Sequence, residues 1–141
     1  MMEPDYLFDV AIYLRGDGLG PTHVSTVLGI TPSKSQYKGQ KKITSTNQVI
    51  VANIGLWALV AETKSSDLPV HIQELASKIG DRGPILTGIA GVEEAYVDVF
   101  VAVDAGDDGG GTCEFQLNPE NVRALDRFGM PVRFTVAVVR K

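Results

Sequence analysis

Apolar residues recur at every second position in several stretches of the chain, a pattern that predicts strands with one buried face. The clearest stretches run from Phe8 to Leu14, from Val97 to Val103 and from Val132 to Val138. Another alternating run spans Cys113 to Leu117. Together with the run from Val97 it predicts a hairpin, whose tip would be the glycine-rich and acidic residues 105–111.

Three other stretches carry apolar residues at helical spacing and are bounded by helix start and stop residues. The first is predicted to begin at Pro21 and the second to follow Asp67, and each ends at a glycine. The third follows Asn118 and stops at Gly129, and Pro84 to Ala90 could add another turn or two. The side chains expected to face inward are Val24, Val27, Leu28, Leu68, Ile72, Leu75, Ala76, Ile79, Ile85, Leu86, Ile89, Val122, Leu125 and Phe128.

The region between the first two helices is harder to assign. Residues 30–47 are rich in Ser, Thr, Lys and Gln and predict a long exposed loop, with a strand around Ile43 as an alternative. Residues 49–63 are rich in Val, Ile and Leu but are interrupted by Asn53 and Gly55. This pattern predicts either a hairpin or one long strand with a bulge, and Trp57 is expected to anchor the core there.

The two ends of the chain share a short spacing, L-x-P-x-x-V. It occurs at Leu19 to Val24 and again at Leu117 to Val122, each time at the predicted start of a helix. Proline is common at the first helical position for general reasons, because its φ angle is preset and no N–H is needed there. We nevertheless predict a pseudo-symmetric fold with similar strand-turn-helix units at the two ends.

These elements predict one α+β domain over residues 1–141, with a mainly antiparallel sheet and about three short helices packed on one face. The opposite face of the sheet would stay open to solvent. The side chains expected on that open face are Tyr13, Arg15, Tyr96, Asp98, Arg133 and Thr135.

Composition narrows the classes of protein to which the chain can belong. Apolar residues make up 44% and charged residues 21%, as in ordinary globular domains. A net charge of -4 opposes binding to nucleic acids and to anionic membranes, and no apolar run is long enough to cross a bilayer. An acidic start without a secretory signal and a single cysteine, Cys113, lead us to expect a cytoplasmic protein.

Several motifs resemble sites of known chemistry but fail in detail. Gly16 to Gly20 resembles a phosphate-binding loop, yet Pro21 replaces the last glycine and Asp17 would repel phosphate, so a plain turn is favoured. Asp104, Asp107 and Asp108 lack the spacing of a calcium loop.

The reactive side chains give no better match. Cys113 shares its row with Phe115 and Leu117, which favours packing over a nucleophilic role. His71 and His23 lack nearby partners for a metal, and a structural role is favoured for His71. We therefore expect no catalytic residues, no bound metal and no cofactor.

A local excess of positive charge is the remaining candidate for a binding site. Lys34, Lys38, Lys41 and Lys42 surround Tyr37 on the predicted loop. Such runs are usually only solvated, but this one could attract an anion or an acidic partner.

Five short segments follow one another in a distinctive order: Gly16 to Val24, Leu28 to Ser33, Lys38-Gly39, Trp57 to Leu59, and His71 to Leu75. Their order resembles an uncharacterised bacterial family, domain of unknown function 4279. The resemblance covers most of the chain and includes the C-terminal helix and last strand, but the sequence departs from the family pattern between Gln40 and Gly55. The resemblance implies a small bacterial α+β protein and no particular reaction.

Two functions are consistent with these observations. The first is a non-enzymatic interaction module, such as an immunity-like protein or a regulatory partner of another protein. The alternative is a small-ligand-binding protein or an enzyme, with a cleft near Tyr37, Lys38, Trp57 and His71. The alternative requires these four side chains to converge in space.

Overall fold

The computed structural model describes residues 6–105 and 112–139. These residues contain three α-helices, seven strands and a 3-10 helix over Gly80–Gly88, and four of the strands lie between the first two α-helices. The strands are β1 (Tyr6–Gly16), β2 (Lys34–Gln36), β3 (Lys41–Ile43), β4 (Val49–Val51), β5 (Gly55–Val60), β6 (Glu94–Asp104) and β7 (Val132–Val139). The α-helices are α1 (Pro21–Leu28), α2 (Leu68–Ile79) and α3 (Pro119–Phe128).

Five of the strands form one sheet in the order β2-β5-β1-β6-β7. All neighbours are antiparallel except β6 and β7, which run parallel with α3 as the crossover between them. Strands β3 and β4 pair separately as a two-stranded ribbon. This architecture confirms the predicted α+β class and the mainly antiparallel sheet.

The connections through β6 follow a recognisable pattern. Strand β1, helix α1, the pair β2 and β5, helix α2 and strand β6 succeed one another in the strand-helix-strand-strand-helix-strand order of a split βαβ unit. Helix α3 and strand β7 extend that unit at one edge of the sheet. The ribbon of β3 and β4 is inserted in the connection between β2 and β5.

One face of the sheet is covered by the helices and forms the core. On β1 the side chains of Phe8, Val10, Ile12 and Leu14 are at most 7% exposed, as the alternation predicts. The largest fully buried side chains from the helices include Leu28, Leu68, Ile72, Leu75 and Ile79, and they belong to the same apolar cluster. We call this surface the closed face.

Three positions predicted to face inward are wrong, because their side chains on the helices are exposed to solvent. Val27 is 40% exposed, Ile85 45% and Val122 53%. Strand β7 lies at the sheet edge, and its side chains Phe134 and Val136 on the closed side remain about half exposed.

The predicted strand at Cys113 to Leu117 is also wrong, because residues 112–118 contain no strand. Strand β6 therefore has β7, and not this segment, as its second neighbour. The Phe115 ring packs edge-on against Phe8, with 5.5 Å between the ring centroids, and Cys113 and Leu117 are packed against the core. The alternation thus marks a segment that lies on the core. Most of the predicted acidic tip, including Asp107 and Asp108, falls outside the described residues.

Helices α1 and α3 begin and end alike. Each has proline in its first turn and is followed by a glycine in the left-handed region, Gly29 with φ 68° and Gly129 with φ 66°. The two valines that end the shared L-x-P-x-x-V spacing differ in burial, since Val24 is buried whereas Val122 is exposed. The pseudo-symmetry of the two ends stays a prediction.

The opposite face of the sheet, which we call the open face, carries an ordered row of charged and aromatic side chains. Tyr13 of β1 and Tyr96 of β6 stack with ring centroids 5.3 Å apart. The Lys34 ammonium lies 5.4 Å from the Tyr13 ring centre, and the Arg133 guanidinium lies 3.8 Å from that of Tyr96. Glu94 adds ion pairs to Arg15 at 3.4 Å and to Arg133 at 3.3 Å.

No helix in the part of the chain that the structure describes is long and apolar enough to cross a membrane. The longest α-helix there, α2, has 12 residues.

Candidate functional site

Two of the four predicted cleft residues lie beside the turn that joins β1 to α1. The Tyr37 hydroxyl donates a hydrogen bond of 2.8 Å to the Thr22 hydroxyl on α1. The Lys38 ammonium lies 3.4 Å from a carboxylate oxygen of Asp17 in the turn, and both side chains are exposed. These contacts attach the segment after β2 to the first helix.

Trp57 lies in the interior. Its side chain is fully buried on the closed face, and the indole N–H donates a hydrogen bond of 3.1 Å to the Ser25 hydroxyl of α1. Burial of an indole requires such a partner, because an unpaired N–H in the core is costly. The predicted role of Trp57 as a core anchor is confirmed.

His71 lies at the opposite end of β1. It is 1% exposed, its Nε2 is 2.7 Å from the Ser65 carbonyl oxygen, and its ring packs edge-on near Phe8. The carbonyl can only accept, so Nε2 carries the proton and Nδ1, which has no partner among the described residues, is left as an acceptor. This arrangement fits the structural role predicted for His71.

The four side chains do not converge on one cleft. His71 contacts Phe8, whereas Lys38 pairs with Asp17, nine residues further along the same extended segment. At about 3.3 Å per residue, Phe8 and Gly16, near the two ends of β1, are roughly 26 Å apart. Tyr37 and Lys38 share one locality, while Trp57 lies beneath α1 and His71 lies elsewhere.

The Gly16 to Gly20 turn is filled by the protein itself. The Asp17 N–H donates to a Glu93 carboxylate oxygen at 2.7 Å, and the Leu19 N–H donates to the Gly16 carbonyl at 3.2 Å. A phosphate loop presents free N–H groups, and a carboxylate beside them would repel phosphate. This geometry supports the plain-turn interpretation.

Close backbone contacts explain the glycines around this turn. A side chain at Gly16 would collide with the Gly91 carbonyl oxygen, and one at Gly55 would lie 2.7 Å from backbone oxygens of Gly16 and Leu19. Gly91 also has a φ angle of 92°, which favours glycine. The glycines therefore allow β1, β5 and the start of β6 to meet.

Residues 6–105 and 112–139 contain no group of three or more His, Cys, Asp or Glu side chains placed to hold a metal ion. One ionisable group among them has a clearly altered pKa. Burial raises the pKa of Glu74, but this is outweighed by hydrogen bonds from the Glu62 and Thr63 N–H groups and from Lys78, so the net shift is downward. These bonds tie the segment after β5 to α2, which is a structural role.

The ribbon of β3 and β4 is the most distinctive surface feature. We call residues 39–52 the arm. Hydrogen bonds between Gly39 and Ala52 (2.7 Å) and between Ala52 and Gln40 (2.8 Å) close its base, and the Thr44 N–H bonds to the Gln48 carbonyl (2.8 Å) at its tip. The predicted alternative of a strand around Ile43 is confirmed, and residues 49–63 form parts of two different sheets.

Local chemistry explains why the tip of the arm turns where it does. Asn47 has a φ of 61°, which asparagine tolerates better than most residues. The Thr44 hydroxyl accepts from the Gln48 N–H at 3.1 Å and lies 3.0 Å from the Thr46 hydroxyl. The arm is thus an ordered hairpin and not the loop that its polar composition predicts.

One face of the arm is apolar and exposed. The register pairs Ile43 with Val49 and Lys41 with Val51, so these four side chains share one face. Ile43 is 69% exposed, Val49 59% and Val51 54%. We call this the outer face of the arm. Monomeric proteins seldom expose several neighbouring apolar side chains to this extent without a function for them.

The other face of the arm lines a groove with the edge of the main sheet. The groove has a volume of about 400 Å³. Its walls include Lys34 and Gln36 of β2, Leu56 of β5, and Lys42 and Ile50 on the inner face of the arm. Lys41 borders the groove at its rim, because its register places its side chain on the outer face. Sequence analysis identified the lysines here but missed the exposed apolar residues, for which the run Val49 to Val51 just after a Thr-Ser-Thr-Asn turn was the available signal.

Comparison with known proteins adds no homologue to this description. Neither a protein-family model, nor a curated protein, nor a solved structure matches the chain.

Proposed function

We propose that this chain is a non-enzymatic interaction module that contacts another protein through the arm. The observation that carries the proposal is the outer face of the arm, where Ile43, Val49 and Val51 are each more than half exposed. Exposed apolar clusters rimmed by polar residues are typical of protein-protein contact surfaces.

The position of the arm supports this function. It is inserted between β2 and β5, which pair directly with each other, so the main sheet does not need it for its own hydrogen bonding. It also occupies the segment, between Gln40 and Gly55, where the sequence departs from the pattern of the family that it resembles. A hairpin that the main sheet does not need for its hydrogen bonding is free to serve recognition.

The remaining surfaces give less support to an enzyme. In the Gly16 to Gly20 turn the Asp17 and Leu19 N–H groups are engaged, and His71 and Trp57 make contacts that stabilise the interior. The side chains of the proposed cleft lie in separate places. An immunity-like or regulatory partner protein of the bacterial cytoplasm, related to domain of unknown function 4279, remains the form of this function that we propose.

The test is affinity capture from the native host with the wild-type chain and with a Val49→Ser/Val51→Ser variant. We expect the wild type to retain a specific protein that the variant loses, because serine removes apolar contact area at two exposed positions. Circular dichroism of the variant verifies that it is folded. Mass spectrometry identifies and quantifies the retained protein. The matched control is Val122→Ser on α3, a comparably exposed valine away from the arm, which should retain the same protein.

Two results would contradict the proposal. One is capture that is equally strong with the arm variant. The other is the absence of any captured protein together with a metabolite that co-purifies with the wild type, which would favour the ligand-binding alternative.

A further inference from the structure

The groove between the arm and β2 is strongly basic, and its charge is segregated from the rest of the chain. Residues 18–61 contain four lysines and no Asp or Glu. The whole chain has a net charge of -4, so the residues outside this segment carry -8. Lysines held apart from their natural counter-charges produce a local positive field that attracts an anionic partner.

Three of the four lysines border the groove, and none of these three has an acidic partner among the described residues. Lys38 pairs with Asp17, and Lys34 lies over the Tyr13 ring. Among the ion pairs of the described residues, none involves Lys41 or Lys42. Their ammonium groups are therefore available to a carboxylate from outside.

The groove also offers apolar surface between its charges. Ile50 is 53% exposed on the inner side of the arm, and Leu56 lies on the open face at the start of β5. A pure polyanion would leave this surface unused. A segment that alternates carboxylates with apolar side chains would satisfy both the lysines and the apolar wall.

A nucleic acid fits this surface less well. The negative charge of the remaining chain opposes a phosphate backbone, and the groove contains lysine but not the arginine that binds phosphate in two-point fashion. Base stacking needs a free aromatic face, yet Tyr13 and Tyr96 stack on each other with Lys34 and Arg133 on their outer faces.

From charge complementarity and this apolar wall we infer that the groove binds an acidic segment of a partner protein, with glutamate or aspartate side chains on Lys34 and Lys42 and with Lys41 at the rim. This inference rests on the proposed function, because it names the part of the partner that the interaction module recognises.

The test uses fluorescence anisotropy with labelled synthetic peptides. A peptide of alternating glutamate and valine should bind the wild type, and binding should weaken as salt is raised, because exposed charge pairs are screened. A lysine-valine peptide of equal length should not bind. The Lys41→Glu/Lys42→Glu variant should lose at least about tenfold in affinity, since it replaces attraction by repulsion at two contacts.

The matched control is Lys64→Glu/Arg123→Glu, which makes the same change of charge at two exposed positions outside residues 18–61. It should keep most of the affinity, and circular dichroism melts of both variants establish that they are folded. Equal losses in the two variants would overturn the inference, because the effect would then be one of net charge alone. Absence of binding to the glutamate-valine peptide, or tighter binding of an oligothymidylate, would also overturn it.

Capture from the native host separates this inference from the proposed function. If the Val49→Ser/Val51→Ser variant loses the partner while Lys41→Glu/Lys42→Glu retains it, the interaction module stands and the acidic-segment inference is wrong. If both variants lose the partner, both proposals are supported. If neither does, both are wrong.

Discussion

The two faces of the five-stranded sheet hold their side chains in place by different physical means. On the closed face, side chains such as Ile12 and Trp57 are fully buried beneath helices, and stability there comes from apolar burial and close packing. On the open face, Tyr13 and Tyr96 remain partly exposed and are ordered by each other and by Lys34 and Arg133. A sheet without a second layer can thus fix its aromatic residues by cation-π and stacking contacts.

The largest effect should come from the closed face. Ile12→Ala should lower the free energy of unfolding by about 2 to 5 kcal/mol, because it removes buried methylene groups and leaves a cavity. Urea titration followed by circular dichroism measures this change. Leu7→Ala, at a position of the same strand that is 58% exposed, is the control and should change little. If both variants lost a similar free energy of unfolding, burial would not explain the difference in stability between the two faces of β1.

An intermediate effect should come from the open face. Arg133→Gln removes the cation from the Tyr96 ring and the ion pair with Glu94, and should cost about 0.5 to 1 kcal/mol, the range for exposed cation-π pairs. The same titration measures it. Arg133→Lys keeps the charge but not the planar stacking, so its free energy of unfolding should lie between those of the wild type and Arg133→Gln. A loss as large as that of Ile12→Ala would contradict the distinction between the faces.

The smallest effect should appear only in acid, at the margin of the closed face. The pKa of Glu74 is lowered from its ordinary value of 4.5 by the Glu62 and Thr63 N–H groups and Lys78, which outweigh the effect of burial. A lowered pKa in the folded state means that ionised Glu74 stabilises the fold above its ordinary pKa. That stabilisation is lost as the pH falls below this value and through the lower pKa of the folded state.

Thermal melts from neutral pH down to about pH 3 test this expectation, because that range brackets the ordinary pKa of glutamate. Glu74→Gln keeps an oxygen acceptor without the charge, so its melting temperature should lie closer to that of the wild type in acid than at neutral pH. A difference between the two proteins that stays constant with pH would show that titration of Glu74 does not affect stability.

Sequence reasoning succeeded where burial imposed a regular period. Strands β1 and β6 and helix α2 each bury a continuous row of side chains, and alternation or helical spacing records that burial directly. The prediction failed where an alternating pattern of apolar residues reflects packing on the core and not pairing in a sheet. The residues from Cys113 to Leu117 alternate because Phe115 reaches Phe8, although no strand forms there.

The candidate site could be predicted only in part. The lysine run was visible, because charge is a property of the residues themselves. The arm was predicted only as an alternative, a strand around Ile43, because neither Lys41 to Ile43 nor Val49 to Val51 has a period. Both faces of a ribbon exposed to solvent can carry any side chain. Strand β2 was missed for a similar reason, because its residues Lys34, Ser35 and Gln36 are polar and its place in the sheet depends on β5.

The closed base of the arm has an evolutionary consequence. Since Gly39 and Ala52 already bring the two chain ends together, the residues beyond them could be lengthened, shortened or exchanged while β2 and β5 keep their register. Selection could therefore change the surface that the arm presents by altering a single hairpin. Grafting another hairpin onto the same two residues would place a new surface on the same five-stranded sheet.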